Sequence, residues 1–174
     1  MEFPPLPSWD GLHPLIIHFP IALLIVAPLL VVLGALAGKR GKGLLMAALI
    51  LMALGTTFSY VAVETGEAAA ELADRTPQMA PVLAHHEKLA ERTRLIFTVL
   101  TVLFAAVLLT PALLKWEMKR PLALALCAGF LVFYAVGAVT LANTAHNGGR
   151  LVHEFGVRAL MPAAPPTASE IPRN

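Results

Sequence analysis

Charge is scarce in this chain: only 14% of its 174 residues are Asp, Glu, Lys or Arg, against 57% hydrophobic, whereas an ordinary soluble domain carries roughly a quarter charged residues. That balance excludes a soluble class and places the chain in a membrane. Cysteine is nearly absent. Cys127 stands alone, which excludes an internal disulfide and a Cys-x-x-Cys-His haem attachment, so any haem would be held non-covalently. Residues 1–12 contain Glu2 and Asp10 but no Lys or Arg, so the basic stretch of a cleaved signal peptide is missing and the first apolar run is expected to stay in the mature protein. Carboxylates are missing from the interior of every long apolar run, which argues against a proton pump or secondary transporter. Nothing resembles a nucleophile paired with a base or a phosphate-binding loop, and no extended basic patch suggests nucleic acid.

What is abundant is apolar sequence in long stretches. A hydrocarbon layer about 30 Å thick takes roughly 20 apolar residues per helix, and four runs qualify, at about 15–38, 43–63, 95–114 and 122–142. The expectation is an all-α, four-helix transmembrane bundle forming one domain over residues 1–161, followed by a disordered tail at 162–174 that opens on Pro-Ala-Ala-Pro-Pro. Pro28 and Pro111 fit within such spans because neighbouring helices can satisfy the carbonyls a proline frees.

Charge orients the bundle. The two hairpin loops hold Lys39, Arg40, Lys42, Lys115, Lys119 and Arg120 against the single acid Glu117. Short loops rich in Lys and Arg stay in the cytoplasm, so both termini are expected outside, with Trp9 and Trp116 anchoring opposite interfaces. The outer connection at 64–94 begins as a continuation of the second helix, breaks at Thr76-Pro77 and Pro81, and resumes as a helix near Val82. It amounts to a short extracytoplasmic helical segment between the second and third spans. The two hairpins have similar lengths, but the residues show no convincing internal repeat.

All six histidines, His13, His18, His85, His86, His146 and His153, fall on the outer side of this arrangement. Most aqueous residues lie there, so sidedness alone carries no argument. The grouping does: the first, third and fourth spans each bring a histidine pair to the same end. Pro14 marks a helix start. His13 and His18 then point about 140° apart, so they face different partners, and His85 and His86 point about 100° apart, so only one of those two faces the bundle squarely. His146 and His153 would align over seven residues on a continuous helix, but Gly148-Gly149 predicts a break between them. Imidazole is the common ligand of transition metals and haem iron. Arg92 and Arg94 are placed to pair with haem propionates, or simply to snorkel to the interface. Glu64, Glu67 and Glu71 share a helix face that could meet a cation or just water. Phe19, Phe58, Phe97 and Phe133 read as lipid-facing or packing residues.

Three motifs, His13-Pro14…His18-Phe19-Pro20-Ile21-Ala22, Thr65-Gly66-Glu67-Ala68-Ala69 and Gly148-Gly149-Arg150-Leu151-Val152, together resemble the bacterial membrane family called domain of unknown function twenty-two thirty-one, over roughly residues 10–160. The resemblance implies four spans in a bacterial inner (cytoplasmic) membrane and association with c-type cytochrome modules. It marks His13, His18, a histidine matching His85 or His86, and the pair Gly148 and Gly149. Many relatives carry a histidine directly before the glycine matching Gly156, where this chain has Phe155, with His153 two residues earlier.

The function expected from these residues is a small membrane cytochrome with one or two b-type haems near the outer face. It would pass electrons between the quinone pool or a membrane partner and an outer carrier such as a c-type cytochrome. His18 and His86 form the first ligand pair, His13 and His146 the second, with His85, His153 and Arg94 completing the site. The alternatives are a copper- or zinc-binding membrane protein using the same imidazoles, and a cofactor-free anchoring or assembly subunit. Electron transfer or binding is favoured over enzymatic turnover.

Overall fold

The computed structural model describes residues 6–73 and 75–157; the tail expected to be disordered lies outside them. Regular structure among the described residues is helical throughout. A 3-10 turn at Asp10–Leu12 leads into α1 (His13–Ile16) and α2 (His18–Ala37); α3 (Lys42–Glu71), α4 (Ala80–Leu113) and α5 (Arg120–His153) follow. Pro14 occupies the first turn of α1, where a missing N–H has no partner to lose. Pro20 cannot donate to the carbonyl of Ile16, and the helix is interrupted just there, at Ile17.

Three continuous helical stretches among the described residues are long and apolar enough to cross a membrane: Asp10–Glu71, Ala80–Pro111 and Arg120–His153. The sequence predicts four such helices. The difference lies in the first stretch, because the link Gly38–Gly41 is itself a 3-10 turn and α2 runs into α3 with no extended residue between them. The chain nonetheless folds back at that link, where Gly38 takes φ 59°, a conformation glycine adopts without strain. A β-carbon on Gly55 would lie 2.8 Å from Leu24, and one on Gly34 2.8 Å from Leu45, so α2 and α3 are antiparallel and pressed together through small residues.

The connection between α3 and α4 also differs in detail. α3 continues to Glu71 as expected, but α4 is one helix from Ala80, so no separate helical segment intervenes. Thr76 caps the turn before α4, accepting the backbone N–H of Met79 at 3.2 Å. The break predicted at Gly148-Gly149 does not occur either: α5 runs on to His153, since two glycines destabilise a helix by only about 1 kcal/mol each and Gly148 is pinned by packing described below.

Each long helix packs on two neighbours, closing a ring in which α2 stands diagonal to α4 and α3 to α5. Leu24, Ala27, Val31, Met52, Phe97, Phe104, Phe130 and Tyr134 fill its interior, while Val102, Val132, Phe133 and Val139 face outward, all more than 60% exposed. Apolar inside and apolar outside is the pattern of a helix bundle solvated by lipid. Pro28 leaves the carbonyl of Leu24 without its helical donor, and the buried hydroxyl of Tyr134, on α5, donates to that oxygen. Thr56 and Thr101 join α3 to α4 through their hydroxyls at 2.9 Å.

The packing reveals a repeat that the residue types conceal. The shift that carries His13 onto His86 also carries the buried Pro20, Leu24, Ala27 and Val31 of α2 onto the buried Thr93, Phe97, Leu100 and Phe104 of α4. The shift that carries Gly66 onto Gly148 carries the buried Ala48, Met52, Gly55, Ser59 and Thr65 of α3 onto Phe130, Tyr134, Gly137, Leu141 and Asn147 of α5, all buried too. The two hairpins bury the same register with different side chains.

Candidate histidine site

The repeat puts one imidazole of each hairpin at the same end of the bundle. His13 begins α1, and its Nδ1–H donates to the carbonyl of Ala62 on α3 at 2.9 Å, with the Thr65 hydroxyl 3.3 Å away. Its ring rests on Gly66, where a β-carbon would come within 2.9 Å of Cε1. His86 on α4 repeats this on α5: Nδ1–H donates to the carbonyl of Thr144 at 3.0 Å, and the ring rests on Gly148, where a β-carbon would come within 3.0 Å of Cε1. In both cases the acceptor carbonyl belongs to the residue one helical turn before the glycine. A carbonyl can only accept, so each ring carries its proton on Nδ1 and keeps Nε2 free as a lone-pair donor.

Thr65, fully buried, is held by its own hydroxyl on the carbonyl of Val61 at 2.8 Å. Thr144 is fixed by Thr93 through a 2.8 Å hydroxyl contact. Fixing one ring nitrogen on a backbone carbonyl is how ligand histidines are oriented and their tautomer selected.

Both imidazoles line one cavity of about 140 Å³ between the hairpins. Its walls are mostly apolar and small, with Ala62, Gly66, Ala69 and Ala70 from α3, while Asp10, Glu67 and Glu87 bring carboxylates. Met79, Leu83, Ala70 and Leu151 form a second apolar cluster at this end of the bundle. The two rings lie beyond the apolar runs, and both have pKa values below the usual histidine value. For His13 the causes are burial and then the neighbouring His86, opposed by the Ala62 hydrogen bond. For His86 burial again comes first, opposed by the Thr144 hydrogen bond and by Glu87. Both are therefore neutral near pH 7, the form that binds metals.

The remaining expected site residues are elsewhere. His18 and His85 are exposed, on the far side from their partners as the 140° and 100° separations require. His146 and His153 are exposed on one face of the unbroken α5. The structure thus brings together His13 and His86, one member from each of the two ligand pairs expected from the sequence. Arg94 lies outside the cavity, 3.9 Å from the carboxylate of Glu64 and with its guanidinium 5.0 Å above the ring of Tyr60. Gly66, Thr65 and Thr144 are site residues that sequence reasoning did not assign; the signal was present in the shared spacing of Gly55 with Gly66 and of Gly137 with Gly148.

Among the described residues, no group of three or more His, Cys, Asp or Glu side chains converges in a way that could hold a metal ion. Two imidazoles are what the protein offers. That donor set suits an iron porphyrin, whose ring supplies the other four ligands and leaves the protein two axial positions. It is short for zinc, which takes three or four protein ligands. The volume points the other way: cofactor sites enclose roughly 300 Å³ or more, so this cavity does not admit a whole macrocycle unless the histidine-bearing ends of the hairpins part.

No curated protein and no solved structure matches the chain. The model of a family described as predicted membrane protein (DUF2231) matches residues 10–160. This chain belongs to that family of predicted membrane proteins.

Proposed function

We propose that the protein is a membrane-embedded electron-transfer protein whose outer end binds one b-type haem between His13 and His86. The observation that carries this reading is the donor count: two tautomer-fixed imidazoles from diagonal helices and no third protein ligand among the described residues. His13 and His86 would hold the iron, with Gly66 and Gly148 giving the rings room, and the haem would supply one-electron chemistry. This replaces the pairings His18 with His86 and His13 with His146. The Lys and Arg of the hairpin turns support four spans with both termini outside, in a bacterial inner membrane. A quinone or membrane donor and an outer carrier such as a c-type cytochrome are the partners this reading calls for.

The cavity volume favours a second reading, a single copper(I) ion, which is content with two imidazole donors and needs little space. The carboxylates of Asp10, Glu67 and Glu87 also favour a cation over a haem bearing anionic propionates. One experiment separates these readings: optical spectra of the purified protein from haem-replete cells, oxidised and reduced, beside metal analysis. A Soret band lost in His13→Ala and in His86→Ala but kept in His18→Ala supports the haem. A colourless protein that binds copper stoichiometrically through the same two residues supports the second reading. A protein binding neither, with both histidines replaceable, supports a cofactor-free anchoring or assembly subunit.

A further inference from the structure

At the end opposite the histidines the chain turns twice, at Gly38–Gly41 and at residues 114–119, and six cations gather there: Lys39, Arg40, Lys42, Lys115, Lys119 and Arg120. All six are exposed, and the only acid in these turns is Glu117. The ion pairs among the described residues, Glu64 with Arg94 and Arg150 with Glu154, are both at the other end. Topological sorting of positive charge explains why these residues share a side. It does not explain why Arg120 reaches across to the other turn. The guanidinium carbon of Arg120, from the second hairpin, comes within 3.9 Å of the β-carbon position of Gly38 in the first. That contact seats one cation directly on the turn that carries Lys39 and Arg40, with Lys42 beside it, and such repulsion grows as separation falls.

A second feature lies in the same place. Lys115 has φ 52° and is the one non-glycine residue with positive φ among the described residues. An L side chain rarely adopts this conformation, which here is the left-handed position that ends α4. The backbone N–H of Trp116 fixes the turn on the carbonyl of Pro111 at 2.9 Å. Leu113, Leu114 and Trp116 are all more than half exposed around it, which sets the turn at the boundary between hydrocarbon and headgroups.

We infer that the two hairpin turns form one site for the headgroup of an anionic phospholipid, with Arg120 and Lys115 as principal contacts. Phosphate oxygens at headgroup depth relieve the mutual repulsion, and a guanidinium binds them through paired hydrogen bonds. The site needs neither the histidine cavity nor its occupant, and it holds for whichever membrane face these turns occupy.

The test is thermal unfolding of the reconstituted protein in phosphatidylcholine alone, in phosphatidylcholine containing cardiolipin, and in phosphatidylcholine with inorganic phosphate. Cardiolipin should raise the unfolding temperature of the wild type, an increment that Arg120→Gln and added salt both shrink. Lys115→Gly should unfold at a higher temperature than wild type in phosphatidylcholine, because glycine relieves the positive φ, yet gain less from cardiolipin. An increment unchanged in Arg120→Gln, equal stability in the two lipid mixtures, or inorganic phosphate matching cardiolipin would each overturn the inference.

Discussion

Adding one methyl group at Gly148 should damage the histidine site without damaging the fold, and adding it at the next residue should do neither. A β-carbon at Gly148 would stand 3.0 Å from Cε1 of His86, where ordinary contact begins near 3.4 Å. The ring must retreat by that difference, and its Nδ1 hydrogen bond to Thr144, already 3.0 Å long, lengthens with it. Losing most of one such bond costs about 1 kcal/mol in the population of the correctly aimed ring, which weakens ligand binding roughly five- to tenfold. Replacing glycine by alanine inside a helix also gains about 1 kcal/mol of intrinsic stability, so unfolding of Gly148→Ala should stay close to wild type. Gly149 has nothing within 4 Å of its β-carbon position. Gly149→Ala should therefore be slightly more stable and bind as wild type. The assays are thermal unfolding in detergent, titration with hemin or copper(I), and the ¹⁵N resonances of His86, which report ring tautomer with no ligand present. If Gly148→Ala and Gly149→Ala bind equally and leave the His86 resonances alike, the glycine is not a seat for the ring and the geometry argued above is wrong.

Gly66→Ala should reproduce the Gly148→Ala behaviour at His13, since its β-carbon would stand 2.9 Å from that ring; His13 rather than His86 resonances should move. Tyr134→Phe should lower stability by about 1–3 kcal/mol in denaturant titrations, because it strands the Leu24 carbonyl that Pro28 has already deprived of a donor, and Pro28→Ala in the same chain should recover part of the loss. Stability should be full above about pH 6.5 and decline as pH falls below it, because His13 and His86 keep lowered pKa values in the fold while the unfolded chain takes up protons at the ordinary value. A thermal-unfolding midpoint flat from pH 7 to pH 5 would contradict burial of the two neutral rings.

Hydrophobic run lengths made the helices legible, because lipid imposes a length and forbids unpaired backbone. They could not show that Gly38–Gly41 stays helical, since a 3-10 turn and an open loop have the same composition. The prediction of a break at Gly148-Gly149 weighed propensity alone, whereas His86 packs on Gly148 and holds that turn of α5 in place. Angular spacing separated His13 from His18 and let only one of His85 and His86 face the bundle squarely; in the structure His13 and His86 line the cavity while His18 and His85 are exposed. It could not say which member, because that depends on where Pro20 interrupts the first helix and on where α4 begins. His18, expected in the first ligand pair, is exposed in the structure. The repeat went unseen because its two copies share burial register and glycine positions, not side-chain identity: Met52 answers to Tyr134 and Ala48 to Phe130.

That repeat bears on how the two histidines work. Each hairpin alone presents one imidazole with a fixed Nδ1 and a single free nitrogen, and only where the two copies face each other does a two-donor cavity arise. The surroundings are not matched: under the same shifts Asp10 corresponds to Leu83, Pro14 to Glu87 and Glu67 to Gly149, so none of the cavity carboxylates is repeated. If both rings hold one ligand, removing either should abolish most of the binding, and the double variant His13→Ala/His86→Ala should bind no worse than the weaker single. Strong non-additivity of that kind is the signature of groups acting as a unit. Losses that simply add would mean two separate sites, and the facing hairpins would then share a cavity without sharing a ligand.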